Sequence, residues 1–318
     1  MKIKISVRLF LLSLVSCSKK DDFKLFSPNE ELKVYISNLN NSSAFTVIYG
    51  SDTLFTSSHI GLQINGLSLA ENVTFRGFEQ TEVEETWETI IGKQRTVNNH
   101  YNEYKWQVAS TGQTSQYYEI VFRLYDKGFA YRYEFPSEAI QESIEIEKEL
   151  TNLTFKDDFT YWAYNGEKHN VGPINSAEKS GGEVKIPLVM QFNNDYFMAI
   201  HEAEITEFAP FSLATSTKDR SLGFNLNYSK RDKPFKTSWR AFMLGEKVGD
   251  LVESDMLVNL NEPIKIPDPS WIKGGKSLWD WRVLGYRTVD GFEYQLNTES
   301  HKRMIDFAAA NNIQYLLI

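Results

Sequence analysis

The sequence predicts a mainly β protein: a large antiparallel β-sandwich, followed by a β-α-β unit that opens a parallel (β/α) domain. Three observations predict it. Short runs with apolar alternation, separated by Gly, Asn, Asp and Pro, fill the region up to about Pro263. Three prolines then fall within seven residues, at Pro263, Pro267 and Pro269. They suit neither a central strand nor a helix interior and mark a stiff connector. Beyond them the pattern changes to strand, helix, strand.

The chain has 318 residues, enough for one large or two ordinary domains. Its start is basic (Lys2, Lys4, Arg8), then apolar from Leu9 to Val15, then Leu14-Val-Ser-Cys17. This resembles a bacterial lipoprotein signal over residues 1–17, with Cys17 as the lipid attachment site; a generic secretory signal is the alternative. Residues 18–26 form a tether, whose Ser18-Lys-Lys-Asp-Asp22 is similar to the acidic export signal of Bacteroidetes surface lipoproteins. The expected location is outside the cytoplasm, lipid-anchored to the outer membrane and facing the periplasm or the surface.

The sandwich is expected over residues 27–263. Leu32 to Ile36 alternates. Ala44 to Tyr49 and Thr53 to Phe55 flank Gly50-Ser51-Asp52 as a hairpin, and Tyr118 to Tyr125 and Phe129 to Phe135 flank Asp126-Lys127-Gly128 in the same way. Gly128 can take φ > 0 there. Further strands are expected near 184–191, 196–200, 222–228 and 237–244. Two polar stretches, 81–104 and 157–185, break the pattern and read as loops able to carry function, or as ordinary edge and connection. Leu251 to Val258 reads as a short helix before a linker at 264–275.

From 276 to 318 the reading is more specific. Lys276-Ser-Leu-Trp-Asp-Trp281 is a strand, 297–310 a helix, and Ile313 to Ile318 a second strand. A strand, helix and strand in series imply parallel pairing through a right-handed crossover. His301, Met304, Ile305 and Ala308 share one helical face. Asn297 or Thr298 caps its start, and Asn311-Asn312 suits its end. Parallel strands are normally covered on both faces, so most of this second domain is expected beyond Ile318.

Acidic residues outnumber basic ones, 42 to 34, for a net charge of -8. That disfavours nucleic acid and a bare anionic membrane surface as partners, so that a lipid anchor is the only membrane link expected. With one cysteine there is neither an internal disulfide nor a Cys-based zinc site. Aromatics make up 14%, as sandwich cores and sugar-binding faces both use.

Several segments, in this order, resemble glycoside hydrolase family 97, a family of α-glucosidases and α-galactosidases. They are Val97-Asn-Asn-His-Tyr-Asn-Glu103, Asp126-Lys-Gly-Phe-Ala-Tyr-Arg-Tyr-Glu-Phe-Pro136, Ile200-His-Glu-Ala203, Trp239-Arg-Ala-Phe-Met-Leu-Gly245, Leu257-Val-Asn-Leu-Asn-Glu-Pro263, Ser270 to Lys276 with Trp279-Asp-Trp281, and Asn297-Thr-Glu with Ile305 to Ala309. The resemblance implies that 276–318 begins a catalytic (β/α)₈ barrel. It implies a calcium-dependent hydrolase acting on oligosaccharides through carboxylates beyond Ile318, so that no catalytic residue is assigned here and residues 1–318 alone lack activity. Glucoside or galactoside, and inversion or retention, stay open.

The same resemblance supplies the site expectations. Glu202 is the sandwich's one carboxylate ligand to Ca²⁺, a cation that needs six to eight oxygens. Asp280 binds a sugar hydroxyl and Trp281 stacks on a sugar face; ordinary roles, Trp279 in a core and Asp280 capping a loop, are the alternative. His100, Asn102 and Glu103 reach the barrel mouth, or tie down their own segment. His169 and His201 lack ligand spacing. Arg282 stands where many relatives carry another Trp. A surface-anchored, non-enzymatic sugar-binding sandwich is the competing function.

Overall fold

The computed structural model describes residues 6–9, 22–39, 42–110, 117–139, 143–166, 168–178, 181–192, 196–206, 208–216 and 220–318. Cys17 and residues 18–21 of the tether lie outside them; Asp22–Phe26, expected as the rest of the tether, is instead a strand paired with Leu32–Leu39. The chain divides into two compact units, 1–87 with 96–263, and 88–95 with 264–318.

The first unit is antiparallel throughout. One sheet runs Thr96–Ser110, Tyr117–Tyr125, Gly128–Phe135, Trp239–Gly245, Phe197–Ala203, Gly182–Phe192, Phe159–Tyr164 and Val171–Asn175. A second runs Asp22–Phe26, Leu32–Leu39, Ser42–Tyr49, Asp52–Ser57, Asn152–Phe155, Ser221–Leu226 and Phe211–Thr215, and a small third runs Ser229–Arg231, Ile144–Glu149, Leu62–Ile64 and Leu67–Ser68. The start of Gly182–Phe192 pairs with Phe211–Thr215, joining the first two sheets.

Alternation explains the inner faces. Ser42–Tyr49 buries every second residue, placing Phe45 and Val47 in the core. Opposite them lie Trp106, Phe122, Phe129 and Tyr131. Trp106 stacks on Phe122 at 5.7 Å, and Phe129 on Phe242 at 4.5 Å. The strands Gly128–Phe135 and Trp239–Gly245 are buried on both faces, which is why they read as nearly continuous apolar runs. Their outer face carries Ala130, Trp239, Ala241 and Met243, grouped with Met256 and Leu260. The helix expected near 251–258 is two short ones, Val248–Glu253 and Met256–Asn259. Both anticipated hairpins are present. Gly128 has φ +149°, and a Cβ there would stand 2.5 Å from the Phe242 carbonyl oxygen.

The polar stretch 81–104 is not a loop. It falls in two long strands, Val73–Glu88 and Thr96–Ser110. Side chains link them: Asn99 Nδ2 donates to Glu85 at 2.8 Å, and His100 Nε2 lies 3.1 Å from Glu82. Val73–Glu88 is mostly exposed, so its sequence carries few apolar residues to mark it as a strand. In the second polar stretch, Phe159–Tyr164 and Val171–Asn175 are strands as well.

In the second unit, Ser277–Trp279 pairs in parallel with Tyr315–Leu317, with the helix Thr298–Ala310 between them in sequence. Asn297 caps the helix by accepting the Ser300 N–H at 2.9 Å. Asn312, at φ +54°, ends it in the left-handed conformation that Asn tolerates. The buried stripe is Ser300, Met304 and Ala308, whereas Ile305 is 52% exposed, against the expected face. Spacing of i, i+4, i+8 sets that narrower stripe. Residues 285–294 form an unanticipated hairpin turn, with Gly285 and Tyr294 bonded through their backbones and Arg303 holding Asp290 at 2.8 Å.

Candidate functional site

Glu202 sits near the end of Phe197–Ala203, opposite Arg240. Strand alternation turns it to the same side as Met198 and Ile200, so it is buried. Its Oε2 accepts the Phe211 N–H at 3.4 Å and the Ser238 hydroxyl at 3.3 Å. Its own N–H donates to His201 Nδ1 at 2.7 Å, and burial lowers the pKa of that ring. Burial also raises the Glu202 carboxyl above its ordinary value; the Phe211 and Ser238 bonds and the Arg240 charge pull the other way.

Other glutamates of the first unit are handled differently. Glu149 is fully paired with Arg240 at 2.7 Å, Glu204 with Arg132, Glu134 with Arg132 at 2.5 Å, and Glu103 with Arg123 at 2.8 Å. Among the described residues Glu202 is in no ion pair within 4.0 Å. Buried carboxylates are normally paired or bound to a cation. Glu202 therefore fits a cation as one oxygen donor. No group of three or more His, Cys, Asp or Glu able to hold a metal occurs among the described residues, so Glu202 is not part of a carboxylate cluster there.

His100, Asn102 and Glu103 share the strand Thr96–Ser110 but are not gathered into one site. Asn102 Nδ2 donates to the Phe26 carbonyl at 2.9 Å, Glu103 accepts from Arg123 Nε at 2.8 Å, and His100 faces Glu82. His100 also lines an open cleft of about 330 Å³ with Asn98, Asp126, Lys127 and Met256. Arg123 lies between the Tyr101 ring at 4.6 Å and the Trp239 ring at 4.8 Å, and Arg132 covers Trp239 at 4.1 Å.

In the second unit, Asp280 and Trp281 directly follow Ser277–Trp279, at the end of a parallel strand where (β/α) barrels build their sites. Asp280 is buried, and its Oδ2 lies 3.2 Å from His301 Nε2 on the helix. Trp281 is 56% exposed. Trp279 is 38% exposed with the Arg282 guanidinium 5.0 Å from its ring, so it does not fill a core in the described residues. His169 is exposed.

Sequence reading missed the buried pair Glu149–Arg240, the His301–Asp280 contact and Asn259. Asn259 accepts Trp87 Nε1 at 2.8 Å and donates to the Asn98 carbonyl at 2.9 Å. The signal for Asn259 was its place in Leu257-Val-Asn-Leu-Asn-Glu-Pro263. Arg240 follows Trp239 in an otherwise apolar strand, which in hindsight marks a buried charge needing a partner.

Comparison with known proteins places the chain among the glycoside hydrolases. The model described as "Glycosyl-hydrolase 97 N-terminal" matches residues 25–263, and the chain belongs to glycoside hydrolase family 97. It is 24% identical to a "Retaining alpha-galactosidase" of Bacteroides thetaiotaomicron over 98% of this chain and 52% of that protein. It is 25% identical to a "Probable retaining alpha-galactosidase" of Streptomyces bingchenggensis, over 85% of this chain and 41% of the relative. A family 97 enzyme from Pseudoalteromonas sp., solved in complex with panose, superposes with a TM-score of 0.79 at 25% identity, covering 92% of this chain and 46% of its own. The chain thus spans about half the length of the curated relatives it matches.

Proposed function

We propose that this chain is the N-terminal portion of a calcium-dependent hydrolase of α-linked oligosaccharides, with α-galactosides as substrates and retention as the stereochemical course. The names of the two relatives favour both choices. Retention calls for an acid/base carboxyl and a nucleophilic carboxylate about 5–5.5 Å apart. That pair is assigned to barrel strands after residue 318, so residues 1–318 alone are expected to be inactive. In support of a continuing barrel, Ile305, Phe307, Tyr315 and Leu317 are all about half exposed around a single β-α-β unit.

The observation that carries the reading is Glu202, a buried carboxylate in a family 97 sandwich that is in no ion pair within 4.0 Å among the described residues. It would donate one oxygen to calcium, whose fixed charge orients oxygens of the bound glycoside. Asp280, steadied by His301, accepts from a sugar hydroxyl, and Trp281 offers an exposed face for stacking. His100, Asn102 and Glu103 brace the sandwich itself, through their bonds to Glu82, the Phe26 carbonyl and Arg123. Cys17 carries the lipid, holding the enzyme at the outer membrane.

The test is hydrolysis of 4-nitrophenyl α-galactoside and α-glucoside by two proteins: residues 18–318, and the product of the complete reading frame from codon 18. Turnover of the galactoside by the second alone is expected. Turnover by the first, or none by either, would overturn the reading.

A further inference from the structure

Behind Glu202 lies a brace, and we infer that Ser238 is a positioning residue for the Glu202 carboxylate, held in place by the buried Glu149–Arg240 pair. The inference rests on Glu202 being a cation ligand, as proposed above.

Ser238 is fully buried, and its hydroxyl reaches Glu202 Oε2 at 3.3 Å. The carbonyl of the same residue accepts Arg240 Nη1 at 2.6 Å, and that nitrogen also donates to Thr237 Oγ1 at 2.9 Å. Thr237 is fastened to the next strand: its N–H donates to the Tyr133 carbonyl at 2.9 Å, and its Oγ1 accepts the Tyr133 N–H at 3.1 Å. Arg240 is fixed in turn, with Nε and Nη2 on Glu149 Oε2 at 3.1 and 2.7 Å. Glu149 Oε1 accepts the hydroxyls of Tyr131 at 2.9 Å and Tyr133 at 3.3 Å. The Ser238 backbone cannot shift without breaking its carbonyl's bond to Arg240, a guanidinium held by Glu149 with no access to water.

The choice of donor separates positioning from simple satisfaction. Elsewhere this fold satisfies a shielded glutamate with arginine, at the buried Glu149 and at the partly buried Glu103, Glu134 and Glu204. At Glu202 it uses a hydroxyl and a backbone N–H, both on Oε2. Neutral donors orient a carboxylate without cancelling its charge, which is what a cation ligand needs. With Oε2 fixed, Oε1 is the oxygen presented to the metal.

The product of the complete reading frame provides the test, with S238A, S238T and E202Q compared by calcium titration against a fluorescent chelator and by metal-free melting. S238A should raise the calcium Kd about tenfold, at the low end of the usual loss for such outer residues, with its metal-free midpoint near wild type. S238T, which keeps the hydroxyl, should bind like wild type, and E202Q should bind more weakly than S238A. If S238A does not fold, S238C carries the same expectation through its weaker donor. An unchanged Kd in S238A beside a weakened E202Q overturns the positioning role alone, whether or not the midpoint falls. An unchanged Kd in E202Q, or no calcium binding by wild type, overturns the calcium reading itself.

Discussion

The Glu149–Arg240 pair gives the sharpest stability prediction. Both side chains are 0% exposed. Replacing Glu149 by Gln keeps the shape but leaves the Arg240 guanidinium buried with half a partner; replacing Arg240 by Met strands the Glu149 carboxylate. Removing one member of a buried pair costs about 3–5 kcal/mol. Independent effects would sum to about 6–10 kcal/mol in the double variant. The two losses are the same loss counted twice, because the second substitution removes the charge that the first left unpaired. The double variant should therefore cost about as much as either single one. What remains is the introduced amide N–H₂, left without the partner it faced, and the Ser238 carbonyl and Thr237 hydroxyl, each short of one bond; the amide oxygen still accepts from Tyr131, and Tyr133 keeps Thr151 at 3.0 Å. The coupling energy should be at least about 3 kcal/mol. Urea unfolding of residues 18–318, followed by tryptophan fluorescence, measures it. In a unit of this size each kcal/mol moves the melting midpoint by about 2–4 °C, so the single variants should fall by roughly 6–20 °C. Additivity within about 0.5 kcal/mol would refute the reasoning.

Three further predictions concern the same unit. Burial raises the pKa values of Tyr118, Tyr125, Tyr131 and Tyr133, with the Glu149 charge adding to the shift at Tyr118, Tyr131 and Tyr133. A raised folded value means that stability is intact below the unfolded pKa near 10 and is lost above it, by up to about 1.4 kcal/mol per pH unit for each tyrosine. Urea midpoints should drop steeply between pH 10 and 11.5, with tyrosinate absorbance appearing only on unfolding; an early absorbance rise in the folded protein speaks against it. Gly128→Ala should cost on the order of 2–4 kcal/mol, since φ +149° disfavours a side chain and the Cβ would press on the Phe242 carbonyl; a midpoint within 2 °C of wild type contradicts this. Asn259→Ala strips a partner from both Trp87 and the Asn98 carbonyl, costing about 2–3 kcal/mol, and should change Trp87 emission; unchanged emission counts against the bond.

What the sequence disclosed was local and periodic. The turn at Asp126-Lys127-Gly128, the Asn297 cap and the helix ending at Asn311-Asn312 each depend on a few adjacent residues, and all are where the sequence put them. The alternation of Ser42–Tyr49 and the parallel pairing of Ser277–Trp279 with Tyr315–Leu317 were legible for the same reason. Residues 73–110 were not, because a strand with exposed polar faces looks like a loop until its partner is known. The site was legible only as isolated residues. Glu202 stood in a motif, but its lack of a counter-ion is a fact about Arg240 choosing Glu149, 91 positions away in sequence. Likewise Ile305 sits on an apolar-looking face, yet the helix buries Ser300, Met304 and Ala308.

The central claim is that a family 97 sandwich lends the Glu202 carboxylate to a calcium ion serving α-glycoside hydrolysis. The most direct test measures α-galactoside hydrolysis by the complete reading-frame product as free calcium is varied, for wild type and Glu202→Gln. A rate that vanishes on chelation and returns with calcium, with the half-saturating concentration at least tenfold higher in the variant, is the predicted result. Superimposable curves for the two proteins, or a rate indifferent to chelation, would contradict it.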